Sequence, residues 1–185
     1  REAEQYGIVR RALPPYEVLC TPWLAFSDVL RLKMVEDMVE NYYNSHQFDG
    51  TLEKLIPKFP SPFAFFERLA EFYEERHAEQ RKHSRVQRYE LLLAFAQKSF
   101  PEEKQSFRQL LTIDYYLRER AKARPSFAPD QTAYKESIAE ILRQTGKQNH
   151  VEAVSAEDGQ VKYLIFDYEN RDPLTHAARV TEYKG

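Results

Sequence analysis

Hydrophobic and polar positions change their period along the chain. Residues 8–26 follow no helical spacing. Pro14, Pro15 and Pro22 fix φ and remove three amide donors, so this stretch is expected to be extended. From Ser27 to Tyr43 the spacing is helical, with Leu30, Met34, Met38 and Tyr42 four apart and Val35 and Val39 beside them. Ser27 is the expected oxygen cap, Asp28 the acid suited to the positive end of the dipole, and Asn44-Ser45 the stop. Thr51–Lys58 reads as a short helix ended by the proline-rich step from Pro57 to Pro62. Ser61-Pro62 then supplies a cap followed by proline where its missing donor costs nothing, ahead of the stripe Phe65, Phe66, Leu69, Phe72 and Tyr73. Ser84 is expected to cap a helix that faces Val86, Tyr89, Leu92, Leu93 and Ala96 inward. Pro101 opens another, carrying Phe107, Leu110, Leu111, Asp114 and Leu117 and expected to end at Arg124-Pro125. Asp130–Thr145, with Tyr134, Ile138, Ile141 and Leu142, is closed by Gly146.

Past Gly146 the pattern turns to β. Val151–Val154 and Val161–Tyr168 are rich in strand formers and are joined by the hairpin-like Glu157-Asp158-Gly159. Tyr163-Leu164-Ile165-Phe166 is apolar on both faces and should be covered on both, and Arg179–Tyr183 is the candidate third strand. The expected fold is mainly α: a bundle of five or six helices with a small C-terminal antiparallel β-hairpin or three-stranded sheet. The expected division is an arm over 1–26, a helical domain over 27–146 and a β appendage over 147–185. The opening residues through Tyr6-Gly7 read as the tail of a preceding element, ended by glycine.

Composition narrows the classes. With 42% hydrophobic and 14% aromatic residues in 185, the chain can build a core, which excludes wholesale disorder. Five glycines argue against a Gly-rich nucleotide-binding protein. One cysteine, Cys20, excludes an internal disulfide framework, a Cys-rich zinc site and a three-cysteine cluster motif. Leu91–Ala96 is a purely apolar run far too short to span a bilayer, so no membrane partner is expected.

Candidate chemistry is sparse. His46, His77, His83, His150 and His176 show no metal-ligand spacing, and hydrogen-bonded or solvated imidazoles are expected. Cys20, between Leu19 and Thr21, has no neighbouring base or cation and reads as a buried structural thiol. Most carboxylates fit solvated helix faces. Asp114 and Asp167 fall within apolar stripes, and each is expected to be buried with an Arg partner in a structural role. Tyr42-Tyr43-Asn44-Ser45-His46 is expected at the rim of a core. Two basic clusters stand out: Arg76, Arg81, Lys82, Arg85 and Arg88 against Glu79, and Arg118, Arg120, Lys122 and Arg124 against Glu119. Either could neutralise phosphates, with Tyr89, Tyr115 and Tyr116 near enough to stack on bases. A nucleic-acid or protein-partner module using 76–88 and 118–124 is therefore the alternative function. A net charge of −2 favours solvated or domain-docking faces instead.

Several motifs together carry a resemblance. Pro14-Pro15-Tyr16-Glu17-Val18-Leu19, Thr21-Pro22-Trp23-Leu24, Leu30-Arg31-Leu32-Lys33 and Tyr42-Tyr43-Asn44-Ser45 resemble the opening of a C-terminal domain of uncharacterised function. That domain follows the radical SAM core in a group of bacterial cobalamin-binding-domain proteins. Ser61-Pro62-Phe63-Ala64-Phe65-Phe66, Leu164-Ile165-Phe166-Asp167-Tyr168 and Arg171-Asp172-Pro173-Leu174 resemble it too. The resemblance implies a parent whose core holds a [4Fe–4S] cluster, S-adenosylmethionine and cobalamin, with none of these held by the present residues. It implies no catalytic, cofactor-binding or metal-binding residue in this domain. Residues 1–26 would then be the end of the core and a connecting arm. Tyr16, Leu19, Trp23 and Phe26 would be anchors docking on the core of the same chain. The expected role is a non-catalytic accessory domain that shields or positions substrate, in the cytoplasm.

Overall fold

The computed structural model describes residues 5–78, 83–156 and 159–183. Six α-helices lie within them: α1 Phe26–Met38, α2 Asp49–Leu55, α3 Pro62–Glu75, α4 Arg85–Ser99, α5 Lys104–Arg118 and α6 Lys135–Thr145. A two-stranded antiparallel hairpin, β1 Val9–Arg10 and β2 Val18–Cys20, precedes them. A three-stranded antiparallel sheet, β3 His150–Ser155, β4 Val161–Asp167 and β5 Arg179–Glu182, follows in the order β3-β4-β5. The mainly α fold with a small C-terminal sheet is thus as expected, with the N-terminal hairpin added. Contacts gather the chain into two compact units, Arg1–Asn44 with Ile56–Arg81, and Ser45–Leu55 with Lys82–Gly185.

In the first unit, α1 packs on α3. Val35 and Met38 of α1 are buried, as are Phe65, Phe66, Leu69, Ala70, Phe72 and Tyr73 of α3. Leu30, expected inside, is exposed together with Phe26 and Leu32, so only the second half of α1 is covered. The α1 start also differs from expectation. Ala25, not Ser27, is the N-cap, because the Asp28 carboxylate turns back to accept the Ala25 amide at 3.0 Å. The helix then widens into a π-helical turn, Val39–Tyr43, and stops at Asn44. That turn carries Tyr42 into the core rather than to the rim. Its hydroxyl meets that of Tyr73 at 2.5 Å, while Tyr43 stays exposed. Ser61 caps α3 as expected, accepting from the Ala64 amide at 3.1 Å.

In the second unit, α5 packs against α2 and α4. Ser84 caps α4 in a reciprocal box with Gln87. The aromatic core comprises Phe48, Tyr89, Tyr115 and Phe127, with Phe127 stacked parallel on Tyr89. Helix α5 ends at Arg118, six residues before the expected stop. Its last carbonyls are claimed from outside. Tyr168 Oη donates to the Tyr116 and Glu119 carbonyls at 3.0 Å each, and the Ala178 amide donates to Leu117 O at 2.7 Å. Gly146 closes α6 at φ +112°, a conformation that β-carbon sterics deny most residues. The sheet is covered on both faces, as Ile165 and Phe166 require. Ile165 and its cross-strand partner Val151 pack on Ile141 of α6. Phe166 and its partner His150 meet the ring of Tyr116 from α5. The Glu157-Asp158 part of the connecting turn lies outside the described residues.

Candidate functional site

The four anchors of the expected docking arm fall on or beside the N-terminal hairpin. Trp23 is 80% exposed, Tyr16 57% and Phe26 51%, while Leu19 is partly covered. Their neighbours share this exposure. Of the fourteen exposed large apolar side chains among the described residues, ten lie between Tyr6 and Leu32. Thr21 fixes the local turn by accepting from the Trp23 and Leu24 amides. Lys33 ties α1 to the hairpin through Glu17 at 2.7 Å, and this ion pair holds the Glu17 carboxyl below its ordinary range. Cys20 is a free, partly exposed thiol.

The structure sends several of the basic side chains to partners within the protein. Arg81 and Lys82 lie outside the described residues. Arg76 lays its guanidinium over the Phe72 ring at 4.4 Å. Arg85 pairs with Glu119. Arg88 lies on α4, partly exposed, and Arg120 is exposed just past α5. Arg118 donates to the His46 carbonyl at 2.5 Å and to the Thr175 carbonyl. Arg124 directs its Nε and Nη2 at the Pro129 carbonyl and forks onto Glu152 at 2.5 and 2.9 Å. These last two guanidiniums are spent on the protein's own acceptors.

Glu152 was not marked by periodicity, yet it is 1% exposed at the centre of a polar network. Besides Arg124 it accepts from or shares a proton with His150 Nε2 at 2.6 Å. The two side chains are two apart on β3 and therefore on one face. Burial pushes the Glu152 carboxyl up, but the bonds from His150 and Arg124 outweigh it and leave the group below its ordinary value. The His150 ring stacks on Tyr116 with centroids 3.6 Å apart. The sequence signal was a lone carboxylate among strand formers with a histidine on its own face.

Beside this network lies a cavity of about 460 Å³. Its wall is apolar where Ile138, Ala139, Leu142 and Val151 line it, and polar where Arg124, Lys135 and His150 do. Gln131 closes one side by pairing with the Ala153 amide and carbonyl at 2.9 Å each, as a further strand would.

The two stripe carboxylates behave differently from the expected arginine pairs. Asp114 is 2% exposed and has no Arg partner among the described residues; it accepts from Gly50 N at 3.0 Å, Thr51 N at 2.8 Å and Thr51 Oγ1 at 2.6 Å, fastening the start of α2 to α5. The carboxylate lies so close that a β-carbon at Gly50 would stand 2.9 Å from Asp114 Oδ1. Burial pushes the Asp114 carboxyl from 3.8 up to about 6, against the pull of its three donors. Asp167 is only partly covered. It caps the following turn through the Glu169 and Asn170 amides and the Asn170 side chain, which hold its carboxyl below the ordinary value.

Among the described residues no three His, Cys, Asp or Glu side chains gather as a metal-holding group, and no helix is long and apolar enough to cross a membrane. A cluster of the three-thiolate kind does not fit this donor set, since Cys20 is the sole cysteine. Comparison with curated proteins and with solved structures finds no significant match. A family model does match, over residues 4–170, and the chain belongs to that family, described as a protein of unknown function (DUF4080).

Proposed function

We propose that this chain is a non-catalytic accessory domain of a cobalamin-binding radical SAM iron–sulfur enzyme, seated on that enzyme's core through the β1–β2 hairpin and the start of α1. One observation carries the reading: the exposed apolar surface is concentrated between Tyr6 and Leu32 instead of being scattered. Large apolar side chains left in water forgo roughly 1.5–3 kcal/mol each, so a segment that exposes Leu13, Tyr16, Trp23 and Phe26 from the hairpin to the start of α1 is built to be covered. The motif resemblance supplies the occupant, and membership of a family without assigned function is compatible with it. The cluster, S-adenosylmethionine and cobalamin belong to the core in this reading, and the protein works in the reducing cytoplasm. The internal engagement of Arg118 and Arg124 favours docking over nucleic-acid binding.

The test is association of this chain with the separately produced core. Trp23→Asp should weaken it about tenfold or more while leaving the circular dichroism of the chain unchanged. Equal binding by the variant, or salt-sensitive RNA binding in place of core binding, would refute the reading.

A further inference from the structure

The geometry points to a second, independent feature: the cavity between α6 and β3 is a binding site for a small organic anion with an apolar body. At about 460 Å³ it falls in the range of small-molecule sites, roughly 300–1,000 Å³. Its walls divide by chemistry. Ile138, Ala139 and Leu142 recur at helical spacing on α6 and face Val151 of β3, forming an apolar slot. Arg124, Asp130, Gln131, Thr132, Lys135 and His150 line the remainder.

Among these, Lys135 is the cation left without a bonded partner, and that favours an anion. Arg124 is held by Glu152, and the His150 Nε2 by the same carboxylate, so the one acidic group of the network is doubly answered. Lys135 has no hydrogen-bond or ion-pair partner among the described residues, and His150 Nδ1 is likewise unclaimed. Lys135 is also the first residue of α6, where the helix dipole disfavours a cation, so its charge does not serve the helix. The acid lining the cavity, Asp130, has its Oδ1 turned onto the Thr132 amide and hydroxyl at 3.0 and 2.7 Å. A carboxylate or phosphate head would meet Lys135, Arg124 and His150, with its apolar body in the slot.

The probe is 4-phenylbutyrate, with 4-phenylbutanol and 4-phenylbutylamine as uncharged and cationic counterparts, followed by NMR shift titration of this chain. Phenyl phosphate distinguishes a phosphate head from a carboxylate one; saturable binding of either supports the site. The anion should bind about tenfold tighter than the alcohol. Lys135→Gln should erase that preference, and Ala139→Phe should abolish binding by filling the slot. Both residues are exposed helix positions, so the fold survives either change. The inference is overturned by an absence of saturable binding up to about 10 mM, by equal binding of alcohol and anion, by preference for the amine, or by full affinity in Ala139→Phe. None of these outcomes bears on docking through the hairpin.

Discussion

Replacing Asp114 by Asn tests the electrostatics of the α2–α5 junction. The wild-type carboxylate accepts three hydrogen bonds from Gly50 and Thr51 in a nearly dry position. An amide presents one acceptor and turns its NH2 toward an amide donor, so at least one buried bond is lost, worth about 1–3 kcal/mol. The pH dependence separates this from a simple packing loss. The folded-state pKa stands near 6 against an ordinary 3.8, so the folded protein holds the proton more tightly. Stability from this group is complete below the unfolded value and is lost as pH rises through the folded one. From about pH 7.5 down to about pH 5, linkage gives the wild type about 1.4 kcal/mol that the amide variant lacks. Urea unfolding of both proteins at the two pH values, with Thr51 amide exchange as the local readout, measures it. The gap between them should widen by that amount at the lower pH. A constant gap, or one that narrows, would show a carboxylate ionised throughout and would refute the reasoning.

Three further outcomes follow from particular contacts. Glu152→Gln should cost about 3 kcal/mol in thermal or urea unfolding, because Arg124 and His150 lose the charge they enclose. With the Glu152 carboxyl below its ordinary 4.5, its contribution is present above that value and is lost as pH falls through the folded one; acid unfolding of the variant should accordingly be shallower. Tyr42→Phe and Tyr73→Phe should each cost about 1 kcal/mol by removing the hydroxyl–hydroxyl bond they share, and the double variant should cost less than their sum in a double-mutant cycle.

Local signals were legible where the sequence completes its own hydrogen bonds. Ser61-Pro62, Ser84 and Gly146 act within four residues, and each ends or begins a helix where the sequence reading placed it. The α1 start was misread because Asp28 reaches back to Ala25, making Ser27 redundant as a cap. Distant partners were not legible. Helix α5 stops at Arg118 because Tyr168, about fifty positions later, takes its terminal carbonyls. Asp114 was recognised as buried, but its partners lie at 50 and 51 rather than on an arginine. Charge runs read along the chain combined side chains that the fold sends to different acceptors, as Arg118 and Arg124 illustrate. Glu152 escaped notice because a single carboxylate in a strand has no period. Only Arg124 and His150, converging from a loop and from the same strand, give it meaning.

Hydrogen exchange of this chain alone, compared with the same residues joined to the proposed radical SAM core, tests the docking account most directly. Amides flanking Tyr16, Trp23 and Phe26 should slow by about tenfold or more in the joined protein, with the sheet β3–β5 unchanged. Identical exchange across residues 6–32 in the two forms would contradict it.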